Sequence, residues 1–276
     1  MNCYNIFNDV RSNIGEVSAK HWADVDILRK INAEQRKWAT IIASNPGDWL
    51  VVSEDITPVA SLVALPSTCA KPVYMEEKVS GRPIPINLNI RDRRLSRLPG
   101  SFDGVVEGYP LKDYIEVNKE SYTEEVTLWY QKRIPDLFFC TGDVNSGAAA
   151  IVIPLAMEPS MVDDYYNGVV IECIGGTLAG TRDTITDYTA TTRILVVTGT
   201  YSTDSQVGSI SELPKECHDI LILGATLTLL AKPSSAIDPK YFQFFASEYK
   251  RSRKQLEEWL ATRTSGSNRT RIVEYD

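Results

Sequence analysis

The sequence predicts an α+β protein. A helical bundle, built from one N-terminal and two C-terminal helices, carries a β-rich region and an inserted antiparallel β domain. Three observations point there. Apolar residues recur at helical spacing near both ends of the chain, over 19–44 and again after residue 213. Between them, short β-branched stretches alternate with Pro and Gly. From Lys132 to Lys215 no lysine occurs, and Gly, Thr, Ile and Val dominate.

The first helix is expected over 19–44, where Trp22, Val25, Leu28, Ile31, Gln35, Trp38 and Ile42 fall on one face. Asn45-Pro46-Gly47 ends it, because Pro cannot continue the ladder. Strands are expected at 48–55, 59–66, 71–81 and 82–89, with Gly81-Arg82 as a hairpin turn. Another pair is expected at 104–118 and 121–135. In the second of these, Val126, Leu128 and Tyr130 alternate with Thr127, Trp129 and Gln131, so both faces are expected to be covered. Residues 137–212 read as an inserted all-β unit, with strands near 148–156, 168–174, 181–187, 193–199 and 206–211. Helical spacing returns with Cys217, Ile220, Leu221, Gly224, Leu227 and Ala231. Asp238-Pro239 then offers a carboxylate cap followed by Pro at the first helical position, opening a helix over 239–262. Residues 263–276 show no periodicity except a short apolar close and read as an extended arm. The expected division is a helical core with its β extension (1–136 and 213–262), the insert (137–212) and the arm (263–276).

Composition narrows the functional classes. The chain has 276 residues, of which 43% are hydrophobic, enough for a core without metal or disulfide staples. A formal net charge of -7 argues against general nucleic-acid binding, which needs clustered Lys and Arg. Five cysteines are scattered without a CxxC pair, and two histidines, His21 and His218, lie far apart, so neither zinc nor a disulfide framework is expected. No secretion signal or membrane span is expected.

The stretch "YYNGVVIECIGGTLAGTRDTITDYTATTRILVV" (165–197) first suggests a phosphate cradle. A P-loop needs Lys and Ser/Thr after its last glycine, whereas Thr181-Arg182 follow Gly180. A dinucleotide fingerprint opens a helix, and this sequence continues as strand. Gly175, Gly176 and Gly180 therefore read as hairpin-turn glycines. Asp163, Asp164, Asp183 and Asp187 lack calcium-loop spacing and read as turn caps. Cys217 and His218 are adjacent on a helix and point apart, so no dyad is expected. Neither an enzyme nor a cofactor is indicated. The run Arg91, Arg93, Arg94 and Arg97 is the strongest basic cluster. It fits a solvated loop, a contact with an acidic neighbouring subunit, or nucleic acid, the last disfavoured by overall acidity.

The segments "INAEQRKWA", "SLVALPSTCAKPVYMEEKVSGRPIPI", "YIEVN…EEVTLWYQKRIPDL" and "ISELPKECHDILILGATLTLLAK" together resemble the head-to-tail adaptors of tailed bacteriophages, also called head–tail connectors. The resemblance covers 19–135 and 210–276. Residues 163–197 are similar to a β module recurrent in phage structural proteins, although "ECIGGTLAGTRD" departs from its usual Gly-x-Gly turn. The resemblance implies a structural protein of the virion neck of a short-tailed phage, assembled in the host cytoplasm. It implies a homo-oligomeric ring of 12 copies below the portal protein, joined to a tail nozzle, tail tube or fibre protein. Genomic DNA would pass through without specific binding. The arm would reach the portal with Arg263, Arg269, Arg271, Ile272, Val273 and Tyr275. Arg91, Arg93, Arg94 and Arg97 would serve as subunit contacts. The alternative reading is a β-module binding protein, for tail or fibre attachment or for carbohydrate recognition. Exposed aromatics in the insert would favour glycan binding, but only Tyr165, Tyr166, Tyr188 and Tyr201 are available there.

Overall fold

The structure is a computed structural model that describes residues 1–16, 21–44, 50–88, 106–141, 150–199, 201, 205–231 and 239–265. The fold is α+β, as the sequence predicts. The chain divides into two compact units. Met1–Gly47 and Ile134–Asp276 form one, and Asp48–Arg133 the other. The six-stranded insert thus groups with the helices, and the segment set apart is the preceding β region.

In the first unit, two N-terminal helices replace the single expected one. α1 spans Cys3–Asn13 and α2 spans Asp24–Ser44. α1 starts where the Asn2 side chain accepts a hydrogen bond from the Asn5 amide at 2.9 Å. It buries Cys3, Ile6, Phe7 and Val10, one face at helical spacing. α2 buries Ile27, Leu28, Ile31, Asn32, Gln35, Trp38 and Ile42, close to the predicted face, while Trp22 and Val25 are only half-buried. A 3-10 turn, Lys215–Cys217, leads into α3, His218–Leu230. The face predicted for α3 is too narrow. α3 packs against α1, α2 and α4, so Ile222, Ala225, Thr226, Leu229 and Leu230 are buried as well, while Ala231 is exposed. At Gly224 the Glu34 side chain of α2 lies close: a Cβ there would be 2.7 Å from its carboxyl carbon, so that flexible side chain would have to shift. α4 spans Pro239–Ser265, three residues beyond the predicted end, and buries Phe245, Leu256 and Leu260.

The insert forms a near-closed barrel from β7 (Phe139–Thr141), β8 (Ala150–Val152), β9 (Val170–Gly175), β10 (Arg182–Thr189), β11 (Ile194–Val197) and β12 (Gln206–Ser209). The strand order is β7-β12-β9-β10-β11-β8. β10 pairs with β9 through its first half and with β11 through its second. A register shift between Ile185 and Asp187 accompanies this bend. The edge strands β7 and β8 approach where the Cys140 Sγ lies 3.7 Å from the Val152 carbonyl oxygen. Inside, Ile151, Ile171, Ile185, Leu195, Val197 and Val207 surround Tyr166 and Tyr188, whose rings meet edge-on at 4.8 Å.

The second unit holds two three-stranded antiparallel sheets. One is β1 (Val51–Ile56), β6 (Val126–Lys132) and β3 (Cys69–Glu77), with β6 in the middle. The other is β2 (Leu62–Ala64), β5 (Tyr114–Val117) and β4 (Gly108–Pro110). The predicted pair 104–118 with 121–135 does not form: the first stretch is a β4–β5 hairpin in one sheet, and the second is the centre of the other. The predicted strand 82–89 is reduced to single bridges, Glu76 with Pro83 and Ile86 with Gly108. Pro83 and Pro85 have no amide to continue a ladder. The hairpin turn at Gly81 does form, at φ 66°. Val126, Leu128, Tyr130 and Met75 point into the core, but Trp129 on the opposite face is 39% exposed, so only one face of β6 is covered.

Candidate functional site

Chain entry to and exit from the barrel converge on α2. Gln35 is fully buried. Its Nε2 donates to the Pro135 carbonyl at 2.8 Å, and its Oε1 accepts from the Ser211 hydroxyl at 3.0 Å. One turn earlier, Asn32 donates to the Leu137 carbonyl at 3.0 Å and accepts from the Leu137 amide at 2.7 Å. A polar pair on an otherwise apolar helix face thus satisfies backbone groups that would be buried without partners. Two ion pairs flank this neck: Arg36 with Asp136 at 2.7 Å, and Arg29 with Glu158. Between them a cleft of about 180 Å³ is lined by Leu28, Asn32, Met157 and Tyr166. Burial holds the Asp136 carboxyl above the usual carboxylate range, in spite of Arg36.

A second cleft, about 360 Å³, lies between α1, α3 and α4. Asp9, Asp219, Glu248 and Arg251 line it. Burial, with the charge of Asp219, raises the Asp9 pKa. On α4 nearby, Phe244 is 56% exposed and Tyr241 is exposed too, with its hydroxyl donating to the Asn13 carbonyl at 2.8 Å. Both rings pack edge-on against buried Phe245. This aromatic ridge is the most open apolar surface of the helices among the described residues.

The glycine stretch is a turn in which three successive amides are already used. Gly176 and Gly180 adopt φ of 84° and 88°. The amides of Ala179, Gly180 and Thr181 donate to the carbonyls of Gly176, Cys173 and Leu178. A phosphate cradle needs such donors free. The acidic residues of the insert act locally. Asp163 accepts from the Ala190 amide at 2.8 Å, and Asp164 from the Asn167 side chain at 2.8 Å. Burial alone would raise Asp183. Hydrogen bonds from Thr198, Gly199 and Thr184 outweigh it and hold this carboxyl below its ordinary value. Among the described residues no group of three or more His, Cys, Asp or Glu is arranged to hold a metal. Burial pushes the Cys140 and Cys217 thiols up to about 12, and Cys69 up to about 11, away from the reactive range.

Of the residues predicted for assembly contacts, Arg263 falls within α4 rather than in an extended arm. Arg269, Arg271, Ile272, Val273 and Tyr275 lie outside the described residues, as do Arg91, Arg93, Arg94 and Arg97. The insert does not present the tyrosines expected of a glycan surface. Tyr166, Tyr188 and Tyr201 are buried, and the Tyr165 hydroxyl accepts from the Asp136 amide. Sequence reasoning missed the Asn32–Gln35 neck, although Gln35 stood out as a polar residue on the predicted apolar face. No known family model matches the chain, and no curated protein matches it in sequence.

Proposed function

We propose that this chain is a structural, non-enzymatic head-to-tail adaptor of a short-tailed phage. Twelve copies would form a ring below the portal protein in the virion neck. The ring would receive a tail nozzle, tail tube or fibre protein and let genomic DNA pass without specific binding. The observation that carries the reading is the packing of helices from both chain ends into one body, with a barrel inserted between α2 and α3. This is the fold class that the periodicity of the sequence predicts, and it is compatible with the adaptor reading. The open Tyr241–Phe244 ridge on α4 supplies a surface for a neighbouring subunit, since aromatic residues are enriched at such interfaces. An acidic chain also suits a channel through which DNA slides, because like charges repel.

The test is mass photometry and negative-stain imaging of the chain, alone and with a phage portal protein. The reading expects a ring with portal present. A chain that stays monomeric under both conditions overturns it. Truncation after Ser265 leaves α4 complete, and it is expected to weaken portal attachment while leaving the melting temperature unchanged. Full portal binding by the truncated chain would remove the arm from the proposal.

A further inference from the structure

The outer face of the β1–β6–β3 sheet presents a row of aromatic side chains. Trp129, on the central strand, lies opposite Ser53 on β1 and Tyr74 on β3. Cross-strand partners put their side chains on one face about 5 Å apart. Both rings are open, Trp129 at 39% and Tyr74 at 41% exposure. The reverse side of the same strands, with Leu128, Tyr130 and Met75, is sealed in the core, which fixes the platform from behind. The row to one side holds Val51, Gln131 and Lys71, and the row to the other holds Asp55, Thr127 and Glu76. The second of these rows is already oriented. Thr127 donates to Asp55 at 2.7 Å, the Tyr74 hydroxyl donates to Glu76 at 3.1 Å, and Lys78 reaches Asp55 at 3.1 Å.

Size, charge and chemistry together select the occupant. Three strands spaced ~4.8 Å apart and three rows at ~3.4 Å per residue give a platform of roughly 10 Å by 14 Å. A stable protein interface needs about 800 Å² per partner, far more than this. Lys71 and Lys78 stand against Asp55, Glu76 and Glu125, which also pairs with Lys78 at 3.0 Å, so the face has a slight negative excess that repels a polyanion and is too small to hold a polycation. What remains is an aromatic slab with carboxylate, hydroxyl and amide groups along two sides. A pyranose ring is its complement: a C–H face that lies on an aromatic ring, with hydroxyls projecting around the rim. We propose that this face binds a neutral oligosaccharide of roughly two or three sugar units. Trp129 stacks on one sugar and Tyr74 lies beside it. Asp55 and Glu76 accept hydrogen bonds from hydroxyls, and Gln131 meets the opposite rim. The assignment does not depend on the adaptor reading, and each can fail without the other.

The full chain is titrated with maltohexaose, cellohexaose, chitohexaose and mannohexaose, each up to about 10 mM, following tryptophan emission and heat. At least one titration is expected to saturate. Trp129→Ala should weaken that binding by about tenfold or more, Trp129→Phe by less, and Glu76→Gln by several-fold. Trp129 is exposed and Glu76 is half-buried at the edge of the face, and Glu76→Gln keeps an acceptor for the Tyr74 hydroxyl, so each variant should melt close to the wild type, which separates lost binding from lost folding. The proposal is overturned if none of the four sugars binds in that range, or if Trp129→Ala binds as the wild type does. It is also overturned if no sugar binds and the Trp129→Ala, Tyr74→Ala double variant changes the mass of the assembly, which would make this face a protein contact.

Discussion

At the residue scale, Gln35 shows how one side chain can tie a domain insertion to its host helix. It serves the chain on both sides of the barrel, at Pro135 and at Ser211. Gln35→Ala leaves a buried carbonyl and a buried hydroxyl without their partner and is expected to cost about 2–4 kcal/mol. Urea unfolding of Gln35→Ala, Ser211→Ala and the double variant checks this. A coupling near zero between the two sites would show that the hydrogen bond contributes nothing. His218 sets a second expectation. Burial holds its pKa below the ordinary 6.5, and the nearby chain N-terminus adds to this, while a backbone bond to Leu213 and the charges of Asp219 and Glu216 oppose it. The folded protein therefore takes up this proton less readily than the unfolded chain. Stability from His218 is intact above about pH 7 and is lost as pH falls below about 6.5. In His218→Gln that part of the acid slope should vanish, read as the urea midpoint at pH 5 against pH 7.5. An unchanged slope would refute it. The histidine was visible in the sequence, but its burial was not, because that depends on α1 and the Leu213 backbone reaching it.

At the element scale, the helix faces and most strand positions were legible because periodicity survives any tertiary arrangement. Ile31, Gln35, Trp38 and Ile42 of α2 are buried as their spacing predicts. α1 was missed, although Cys3, Ile6, Phe7 and Val10 carry the helical spacing and Gly15 follows its end at φ 72°, because the segment "CYNIFNDVRSN" is short and mostly polar. Strand pairing was less legible than strand existence. The Thr127–Trp129–Gln131 side of β6 gives no sequence sign that it stays open, since burial of that face depends on what packs there. The seam between α2 and the barrel yields an expectation of the same kind. Burial raises the Asp136 pKa more than Arg36 lowers it, so the folded state disfavours this carboxylate at neutral pH. That penalty is relieved as pH falls through the raised pKa. Asp136→Asn is accordingly expected to leave the melting temperature at pH 7 unchanged or higher. A clear drop in calorimetry would show that the Arg36 ion pair governs instead.

At the scale of the whole molecule, the division into two compact units makes a single cooperative unfolding transition unexpected. The segment 48–133 has its own core of Val63, Met75, Ile115, Val126 and Leu128. Expressed alone, it should melt cooperatively and retain near-ultraviolet dichroism. A non-cooperative melt of the excised segment would mean that it depends on the rest of the chain. The barrel differs in kind, because its entry and exit are held by Asn32 and Gln35 of α2.

The sequence by itself determined the class of this protein: an α+β chain, helical at both ends, with an antiparallel β insert that begins where lysine disappears. These features are local, written in periodicity, turn residues and composition. The glycines of 165–197 also declared themselves as turn formers, because strand-like residues rather than a helix succeed Gly180. Tertiary structure alone decided the rest. It put a second helix at the N-terminus, set 48–133 apart and buried Tyr166, Tyr188 and Tyr201 of the insert. It also left Trp129 and Tyr74 open on a sheet whose other face is sealed. Which face of an alternating strand meets solvent depends on partners distant in sequence, and no local pattern encodes them.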